Sequence, residues 1–201
     1  MSRLRLGLGV TKEWVIIEIM SMKMVSVNIE GQKHLDKIKA LLLSEKADVV
    51  CLAECFPDTI EYLSSGKYPY QLFTATYMVD QDKENTLIAS NTRRWGEAIL
   101  SKYPLTDTQI TYLSMDIYGP TNLPIHGTDN HIPALLLANV EINGEVYRLG
   151  TVHLTWTPKA RMTKRQRVNV LELLELVKNE ELVLAGDFNI PRGNEMYKKL
   201  L

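Results

Sequence analysis

The sequence has few of the features that mark membrane proteins, disulfide-rich proteins or strongly basic nucleic-acid binders. Its 201 residues include only two cysteines and four histidines, and the formal net charge is −1. No apolar run approaches the roughly 18–20 residues that span a bilayer, so we predict no transmembrane segment. The near-zero charge provides no general attraction for a polyanion, so any nucleic-acid binding has to come from a local patch.

The two cysteines, Cys51 and Cys55, have no histidine at ligand spacing nearby, which disfavours a zinc site. We expect reduced, partly buried thiols in the core, which fit a cytoplasmic protein. The apolar stretch at residues 14–20 carries Glu18 and precedes no small-residue cleavage site, so a signal peptide is also disfavoured.

The length, with 45% hydrophobic and 23% charged residues, predicts a single globular domain. We place this domain at residues 23–201 and interpret residues 1–22 as an N-terminal extension of unclear role. The domain begins with a strand at residues 24–28, an amphipathic helix at 33–45 and an apolar strand at 47–53. A strand, a helix and a strand within about 30 residues are typical of a crossover between two parallel strands.

The second half of the chain predicts antiparallel pairing as well. Asn-Gly at residues 143–144 separates apolar runs at 134–142 and 145–153, which is typical of a type I′ hairpin. Thr-Lys-Arg-Gln at residues 163–166 matches a capping box before an amphipathic helix, and an apolar strand follows at 181–185. These elements predict a mixed α/β sandwich and exclude a purely parallel, doubly wound sheet.

Polar side chains follow the apolar strands at the points where the strands end. They are Asn28, Glu54, His153 and the pair Asp187 and Asn189. Taken singly, each has a structural explanation, as a turn residue, as a strand end that reaches water, or as a hydrogen-bonded histidine. If the strand ends converge on one rim, however, the same groups can share a cation and a substrate phosphate.

The order of these residues resembles the endonuclease/exonuclease/phosphatase superfamily, which has a DNase I-like fold. The resemblance covers residues 24–197 and includes Gly-Glu-Ala-Ile-Leu-Ser at 96–101, Thr-Val-His-Leu at 151–154 and Gly-Asp-Phe-Asn at 186–189. It implies a four-layer α/β sandwich with two mixed, largely antiparallel sheets. It also implies Mg²⁺- or Mn²⁺-dependent hydrolysis of a phosphate ester by a phosphodiesterase, nuclease or phosphatase. The substrate class stays open among nucleic acid, a phospholipid head group and a small molecule.

The resemblance implies a role for each strand-end residue. Glu54 matches the principal metal ligand, and Asn28 matches the residue that helps to position the metal and the phosphate. Asp187 matches the residue that orients or activates the attacking water, and Asn189 the one that hydrogen-bonds the phosphoryl oxygens. His153 matches a histidine that serves in acid–base catalysis, and an unperturbed histidine pKa of roughly 6.5 suits that role.

Glu97 falls where the nuclease branch has a carboxylate that orients this histidine. Pairing of Glu97 with His153 is therefore one hypothesis, and a solvated glutamate at a strand edge is the alternative. The Gly- and Pro-rich segment at residues 118–131 is predicted to be a long loop. Its residues His126, Asp129 and His131 fit no metal-ligand spacing, so a polar loop is favoured over a second metal site there.

A basic stretch at residues 158–167 contains five cations and no acid. It supplies weak substrate-binding candidates, for which a solvated charged face is the alternative interpretation. These candidates are Lys159, Arg161, Arg165 and the nearby Trp156, and for Trp156 core packing is the favoured interpretation.

The resemblance further implies a later strand that ends in Asp-His, but no histidine of this chain follows Asp187. We therefore expect a C-terminally truncated member with one incomplete sheet, an unpaired strand edge and lower activity than a complete relative. The alternative function is a non-catalytic domain on the same fold, which binds a phosphate ligand or acts as a scaffold.

Overall fold

The structure is a computed structural model that describes residues 14–19, 22–80, 92–113, 131–157 and 161–200. The described residues form nine strands and four helices. The strands are β1 (Trp14–Ile19), β2 (Met22–Asn28), β3 (Val49–Cys55), β4 (Tyr70–Asp80), β5 (Thr92–Ser101), β6 (Leu105–Tyr112), β7 (Ala134–Ile142), β8 (Glu145–His153) and β9 (Val183–Asp187). The helices are α1 (Leu35–Glu45), α2 (Pro57–Ser64), α3 (Lys164–Val177) and α4 (Glu195–Leu200).

The strands form two mixed sheets. The first sheet has the order β1-β2-β3-β5-β4, and the second has the order β6-β7-β8-β9. Only β2 with β3 and β8 with β9 pair in parallel, while the other five pairs are antiparallel. In both parallel pairs the connection contains a helix, α1 or α3, as a crossover requires. The predicted two mixed, largely antiparallel sheets are confirmed.

Three separate hydrophobic clusters hold the layers together. One lies between the two sheets and includes Met24, Ile99 and Leu136. The second packs α1 and α2 on the outer face of the first sheet, and the third packs α3 and α4 on the outer face of the second sheet. The positions of the three clusters give the order of layers as helix, sheet, sheet, helix. Each fully buried aliphatic side chain in them contributes about 1.5–3 kcal/mol through its removal from water.

Several local predictions are confirmed and others need correction. The hairpin of β7 and β8 turns at Asn143 and Gly144, which both have positive φ, as a type I′ turn requires. Helix α2 and strand β4 were missed in the sequence. Strand β1 pairs antiparallel with β2, so part of the predicted N-terminal extension belongs to the first sheet.

Both cysteines are free, and both are fully buried rather than partly buried as predicted. Among the described residues, β9 pairs only with β8 and forms an edge of the second sheet. No helix in the described ranges is long and apolar enough to cross a bilayer.

Gly96 lies on β5 at a point where both neighbouring strands, β3 and β4, have irregular backbone. On β3, Ala53 and Glu54 together oppose Glu97, and on β4 an extra residue, Thr76, interrupts the register. Each arrangement is a β-bulge, which bends a strand and redirects its side chains. A Cβ atom on Gly96 would lie 1.8 Å from the Thr74 carbonyl oxygen, so only glycine fits here. The bulged region adjoins the strand ends that carry polar residues.

We expect Gly96→Ala to destabilise the protein by about 2 kcal/mol or more, because the added methyl group forces the backbone of β4 to move. The change is measured as the free energy of unfolding in urea. Gly66→Ala is the matched control, because Gly66 has a positive φ of 73° but open space around it. We expect the control to cost only about 1 kcal/mol of backbone strain. Equal losses for the two variants would contradict the close approach at Gly96.

Candidate active site and cation centre

The two sheets bring four predicted site residues together at one rim. Asn28 and Glu54 lie at the carboxyl ends of β2 and β3 in the first sheet, and His153 and Asp187 end β8 and β9 in the second. His153 and Asp187 are directly paired in the parallel ladder of β8 and β9. Because both parallel pairs end on the same side, their terminal side chains face one another across the gap between the sheets.

The Asn28 side chain connects the two carboxylates. Its Nδ2 donates to Glu54 Oε1 at 3.0 Å and to Asp187 Oδ2 at 3.1 Å, while its Oδ1 accepts from the Glu30 backbone amide at 3.1 Å. The Glu30 contact fixes which end of the amide faces the carboxylates. In this arrangement Asn28 positions the two carboxylates by hydrogen bonds.

His153 completes the cluster on the side of the second sheet. Its Nε2 lies 3.7 Å from Glu54 Oε1 and 3.9 Å from Asp187 Oδ2. No lysine or arginine of the described residues forms an ion pair with either carboxylate. Two adjacent carboxylates with only a histidine beside them leave negative charge uncompensated, and hard oxygen donors suit Mg²⁺. The donor set therefore fits a divalent cation held by Glu54 and Asp187.

The backbone at Glu54 has the left-handed conformation, with φ of 58°. Glu54 is one of the two β3 residues in the bulge opposite Glu97, and this irregularity turns its side chain toward the rim. A non-glycine residue in this region costs free energy and persists only where the surroundings enforce it. Here the Glu54 carbonyl accepts from the Gly31 amide at 2.8 Å, which helps to hold the bend.

The Gly-Asp-Phe-Asn motif forms a tight turn at the end of β9. Gly186 has φ of 135°, and a Cβ there would lie 1.9 Å from the Val152 carbonyl oxygen, so β9 approaches β8 closely. Asp187 Oδ1 accepts from the Asn189 amide at 3.0 Å, as in an Asx turn. The Asn189 Nδ2 donates to the Leu154 carbonyl at 2.8 Å, which anchors the side chain beside His153. Asp187 Oδ2 is thereby left to face the cluster.

Gln166 supports this turn from α3 and was missed as a site residue. Its Nε2 donates to the Asn189 carbonyl at 2.7 Å and to the Thr155 carbonyl at 3.1 Å. Thr163 caps α3 by accepting from the Gln166 amide, but the Gln166 side chain does not return the bond as a full capping box would. The predicted capping box is therefore only half formed, because the Gln166 side chain bonds to the Asn189 and Thr155 carbonyls instead.

Glu97 and His131 are buried beside His153. Glu97 is 1% exposed and His131 is 7% exposed, and their Oε1 and Nε2 atoms lie 3.9 Å apart. The ring centroids of His131 and His153 lie 4.7 Å apart. The Glu97 carboxyl therefore lies beside the His131 ring, which a direct pair of Glu97 with His153 alone would not predict. Because Glu97 is buried, the alternative prediction of a solvated Glu97 is wrong. Residues Ile99 and Glu97 share one face of β5, which points into the space between the sheets.

Burial controls the charge of both groups. It raises the pKa of Glu97 well above its ordinary value, and the negative charge of Asp187 acts in the same direction. The backbone amides of His153 and Ala134 oppose this shift. Burial also lowers the pKa of His131, and the positive charges of His153 and Arg165 add to that effect. Both side chains therefore favour their neutral forms.

His131 is held in place by the segment that leads into β7. The Ile132 amide donates to the Thr76 carbonyl at 3.2 Å, and Arg165 Nη2 donates to the His131 carbonyl at 2.7 Å. His131 lies outside the helices and strands, as a loop residue would, but it is buried and not part of a polar surface. Its partners in the predicted polar loop, His126 and Asp129, lie outside the described residues. The apolar Ile-Pro-Ala that follows His131 was the available signal that the chain turns inward here.

The weak substrate-binding candidates separate in space and in role. Arg161 is exposed, whereas Arg165 is only partly exposed and bonds to the segment that carries His131. Trp156 is 49% exposed, so its predicted core packing is wrong. Lys159 lies outside the described residues. The exposed indole of Trp156 follows His153 by three residues, which keeps it within about 10–11 Å of that residue along the chain.

The two sheets with their covering helices form a DNase I-like α/β sandwich, and the carboxylate and histidine cluster lies at one rim of it. The profile of the Endonuclease/Exonuclease/phosphatase family matches residues 25–200, and the chain belongs to this family. The family comprises metal-dependent phosphoester hydrolases. No curated protein sequence matches the chain.

Solved structures with the same fold include the following three. Sphingomyelinase C from Streptomyces griseocarneus is 16% identical with a TM-score of 0.60, and the match covers 91% of this chain and 69% of that one. A mutant of beta toxin from Staphylococcus aureus with bound magnesium ions is 20% identical, with a TM-score of 0.58 and coverage of 90% and 69%. D. rerio TDP2 complexed with single strand DNA product is 17% identical, with a TM-score of 0.58 and coverage of 88% and 63%. At these identities the likeness establishes the fold alone.

We expect Asn28→Asp to make stability depend on a divalent cation. The substitution removes the donor to both carboxylates and adds a third negative charge, so it should cost about 2–4 kcal/mol in EDTA. Mg²⁺ should restore part of this loss, because a cation that binds only the folded state stabilises it. The measurement is urea unfolding in EDTA and in Mg²⁺. The matched control is Asn143→Asp in the exposed hairpin turn, which should change stability by less than about 0.5 kcal/mol in both buffers. A loss independent of Mg²⁺ would count against a cation at this rim.

Proposed function

We propose that this protein hydrolyses phosphate esters with Mg²⁺ or Mn²⁺ as its cofactor. The observation that supports this proposal is the convergence of Asn28, Glu54, His153 and Asp187 from two sheets onto one rim. The amide of Asn28 hydrogen-bonds both carboxylates, and the imidazole of His153 lies within 4 Å of both. The basic side chain beside both carboxylates is that of His153, while Lys33, whose pKa the Glu54 charge helps to raise, is paired with Glu30.

In the proposed reaction Glu54 and Asp187 would hold the cation, and Asn28 keeps them in position. A bound Mg²⁺ supplies charge stabilisation for the phosphoryl oxygens. Asp187 Oδ2 faces the rim while Oδ1 accepts from the Asn189 amide, so Oδ2 would orient the attacking water beside the cation. The Leu154 carbonyl accepts one of the two Asn189 Nδ2 protons. The second proton is the one that would be donated to a phosphoryl oxygen.

His153 lies where an acid or phosphate-stabilising group is needed. Its Nε2 is within 4 Å of both carboxylates, and it can give a proton to the leaving oxygen or donate to the phosphate. We further propose that Glu97 assists by positioning the His153 ring from behind. Its carboxyl lies in the same buried group as a ring nitrogen of His153.

The substrate class follows from charge and from the surface beside the rim. The net charge of −1 disfavours extended tracking along nucleic acid, while the exposed indole of Trp156, three residues after His153, offers an aromatic surface and Arg161 an exposed cation. We therefore propose a small or membrane-presented phosphate ester ahead of duplex DNA. The names of the similar structures support either choice, because one is a sphingomyelinase and another holds a DNA product.

The direct test is hydrolysis of bis-p-nitrophenyl phosphate with Mg²⁺, with Mn²⁺ and with EDTA, by wild-type protein and Glu54→Gln. We expect metal-dependent turnover that falls at least about a hundredfold in Glu54→Gln. Glutamine keeps the shape of the glutamate side chain but lacks the negative charge that would hold the cation. Glu61→Gln, on the exposed face of α2, is the matched control and should retain full activity. A panel of sphingomyelin, inositol phosphates and abasic duplex then assigns the substrate. Binding of a phosphate ester without turnover would favour the non-catalytic alternative.

A second expectation concerns substrate contact by the exposed indole. Trp156→Ala should raise KM and leave kcat nearly unchanged, because stacking on an aromatic substrate contributes about 1–3 kcal/mol of binding. Steady-state kinetics on bis-p-nitrophenyl phosphate separates the two constants. Tyr70→Ala removes an exposed aromatic ring at the start of β4 and serves as the control. A fall in kcat alone would contradict a binding role for Trp156.

A further inference from the structure

A second group of metal-ligand side chains lies behind the rim, distinct from the pair of carboxylates. Glu97, His131 and His153 each offer one ligand atom, and these atoms all lie within 4.8 Å of one another. All three residues are buried. Within the described ranges this is the one group of three such side chains with that spacing.

The polar atoms of this group are buried without partners. Neither carboxyl oxygen of Glu97 nor the Nε2 of His131 has a hydrogen-bond partner of normal geometry among the described residues. The backbone amides of His153 and Ala134 lie close enough to lower the pKa of Glu97, but they do not form well-aligned hydrogen bonds with its oxygens. Buried polar atoms without such bonds are destabilising, so three of them at one place need an explanation. Cores normally avoid such clusters or fill them with a bound group.

The distances between these ligand atoms are too long for direct hydrogen bonds but suit ligands of one shared ion. The 3.9 Å between Glu97 Oε1 and His131 Nε2 is too long for a hydrogen bond. Zinc bonds to nitrogen and carboxylate oxygen are about 2.0–2.2 Å, so two ligands of one ion lie about 3–4 Å apart. A transition-metal ion between these atoms would satisfy all three unpartnered positions after small side-chain shifts.

We propose that Glu97, His131 and His153 form a second cation site, selective for zinc-like transition metals, beside the Mg²⁺ site at Glu54 and Asp187. Two imidazoles and one carboxylate make a ligand set that zinc uses in proteins. Imidazole nitrogen suits zinc, copper and nickel, whereas Mg²⁺ prefers oxygen. The two sites therefore select different metals by the chemistry of their donors.

The donor types are set by which side chains reach this place in the core. The three ligand atoms within 4.8 Å of one another come from one carboxylate and two imidazoles. Cys51 and Cys55 are buried as well, but neither sulfur belongs to this group. The expected ligands are therefore nitrogen and oxygen alone.

Sharing of His153 would couple the two sites, a consequence that rests on the proposed function. An imidazole whose lone pair is bound to zinc cannot take up the second proton that His153 would give to the leaving oxygen, so the ion should inhibit Mg²⁺-dependent hydrolysis. Removal of His131 should relieve this inhibition without removing a group of the proposed reaction. Zinc bound in this position is thus expected to act as a regulator rather than a cofactor.

The first test is titration with Co²⁺, a coloured substitute for Zn²⁺, in excess Mg²⁺. We expect one equivalent to bind with visible absorption typical of nitrogen and oxygen ligands, and Zn²⁺ to displace it. His131→Gln and, separately, Glu97→Gln should each weaken binding at least about tenfold, since loss of even a supporting residue at a metal site has effects of that size. His34→Gln, which removes the histidine before α1, is the matched control and should bind as wild type. Circular dichroism checks that each variant is folded.

The second test uses wild-type protein and so does not depend on the folding of a variant. X-ray absorption at the zinc edge should show two imidazoles and no sulfur around a single bound ion. Sulfur ligands, or oxygen ligands alone, would overturn the proposal, as would failure of Zn²⁺ to bind in excess Mg²⁺ or equal weakening in His34→Gln. Metal binding without any hydrolysis would refute the proposed function and leave this site standing. Hydrolysis without metal binding here would do the reverse.

Discussion

The side-chain amide of Asn28 connects the two halves of the molecule, and the rest of the site depends on it. It donates at once to Glu54 in its own sheet and to Asp187 in the other sheet. The two carboxylates repel each other, and a shared donor offsets part of that repulsion. The Glu30 amide, by binding the Asn28 oxygen, leaves the amide nitrogen no other orientation. The rim is thus organised before any cation arrives.

The regular strands meet the rim through a few irregular positions. Glu54 has a positive φ within a bulge, and Gly96 and Gly186 permit approaches that no side chain would allow. Strain of this kind is tolerated where long, well-paired strands surround it. The three buried clusters supply that support, because they hold both sheets and their covering helices around the rim. Function and backbone strain therefore coincide in this fold.

The sequence predicted those features that depend on local pattern. The Asn143–Gly144 turn, the amphipathic helices and the polar strand ends all follow from residue type and spacing, and the family motif connected them. Strand β4 and helix α2 were missed because their patterns are weak and their register is set by neighbours.

Burial of Glu97 and His131 and the role of Gln166 arise from contacts between distant elements, which spacing does not encode. The exposure of Trp156 is of the same kind. One exception is Glu97, because alternation along β5 places it on the inward face with Ile99, and that signal was present in the sequence.

The bond between Asn28 and Asp187 joins positions 159 residues apart. On a ribosome the first sheet therefore emerges with half of the rim, and the Asn28 amide in this half lacks its second acceptor until β9 is synthesised. Such a distant contact also makes closure a late and slow event in folding. Affinity for a cation at the rim should then appear only when the second sheet has docked, so that metal capture marks the moment at which the nascent chain becomes a finished molecule.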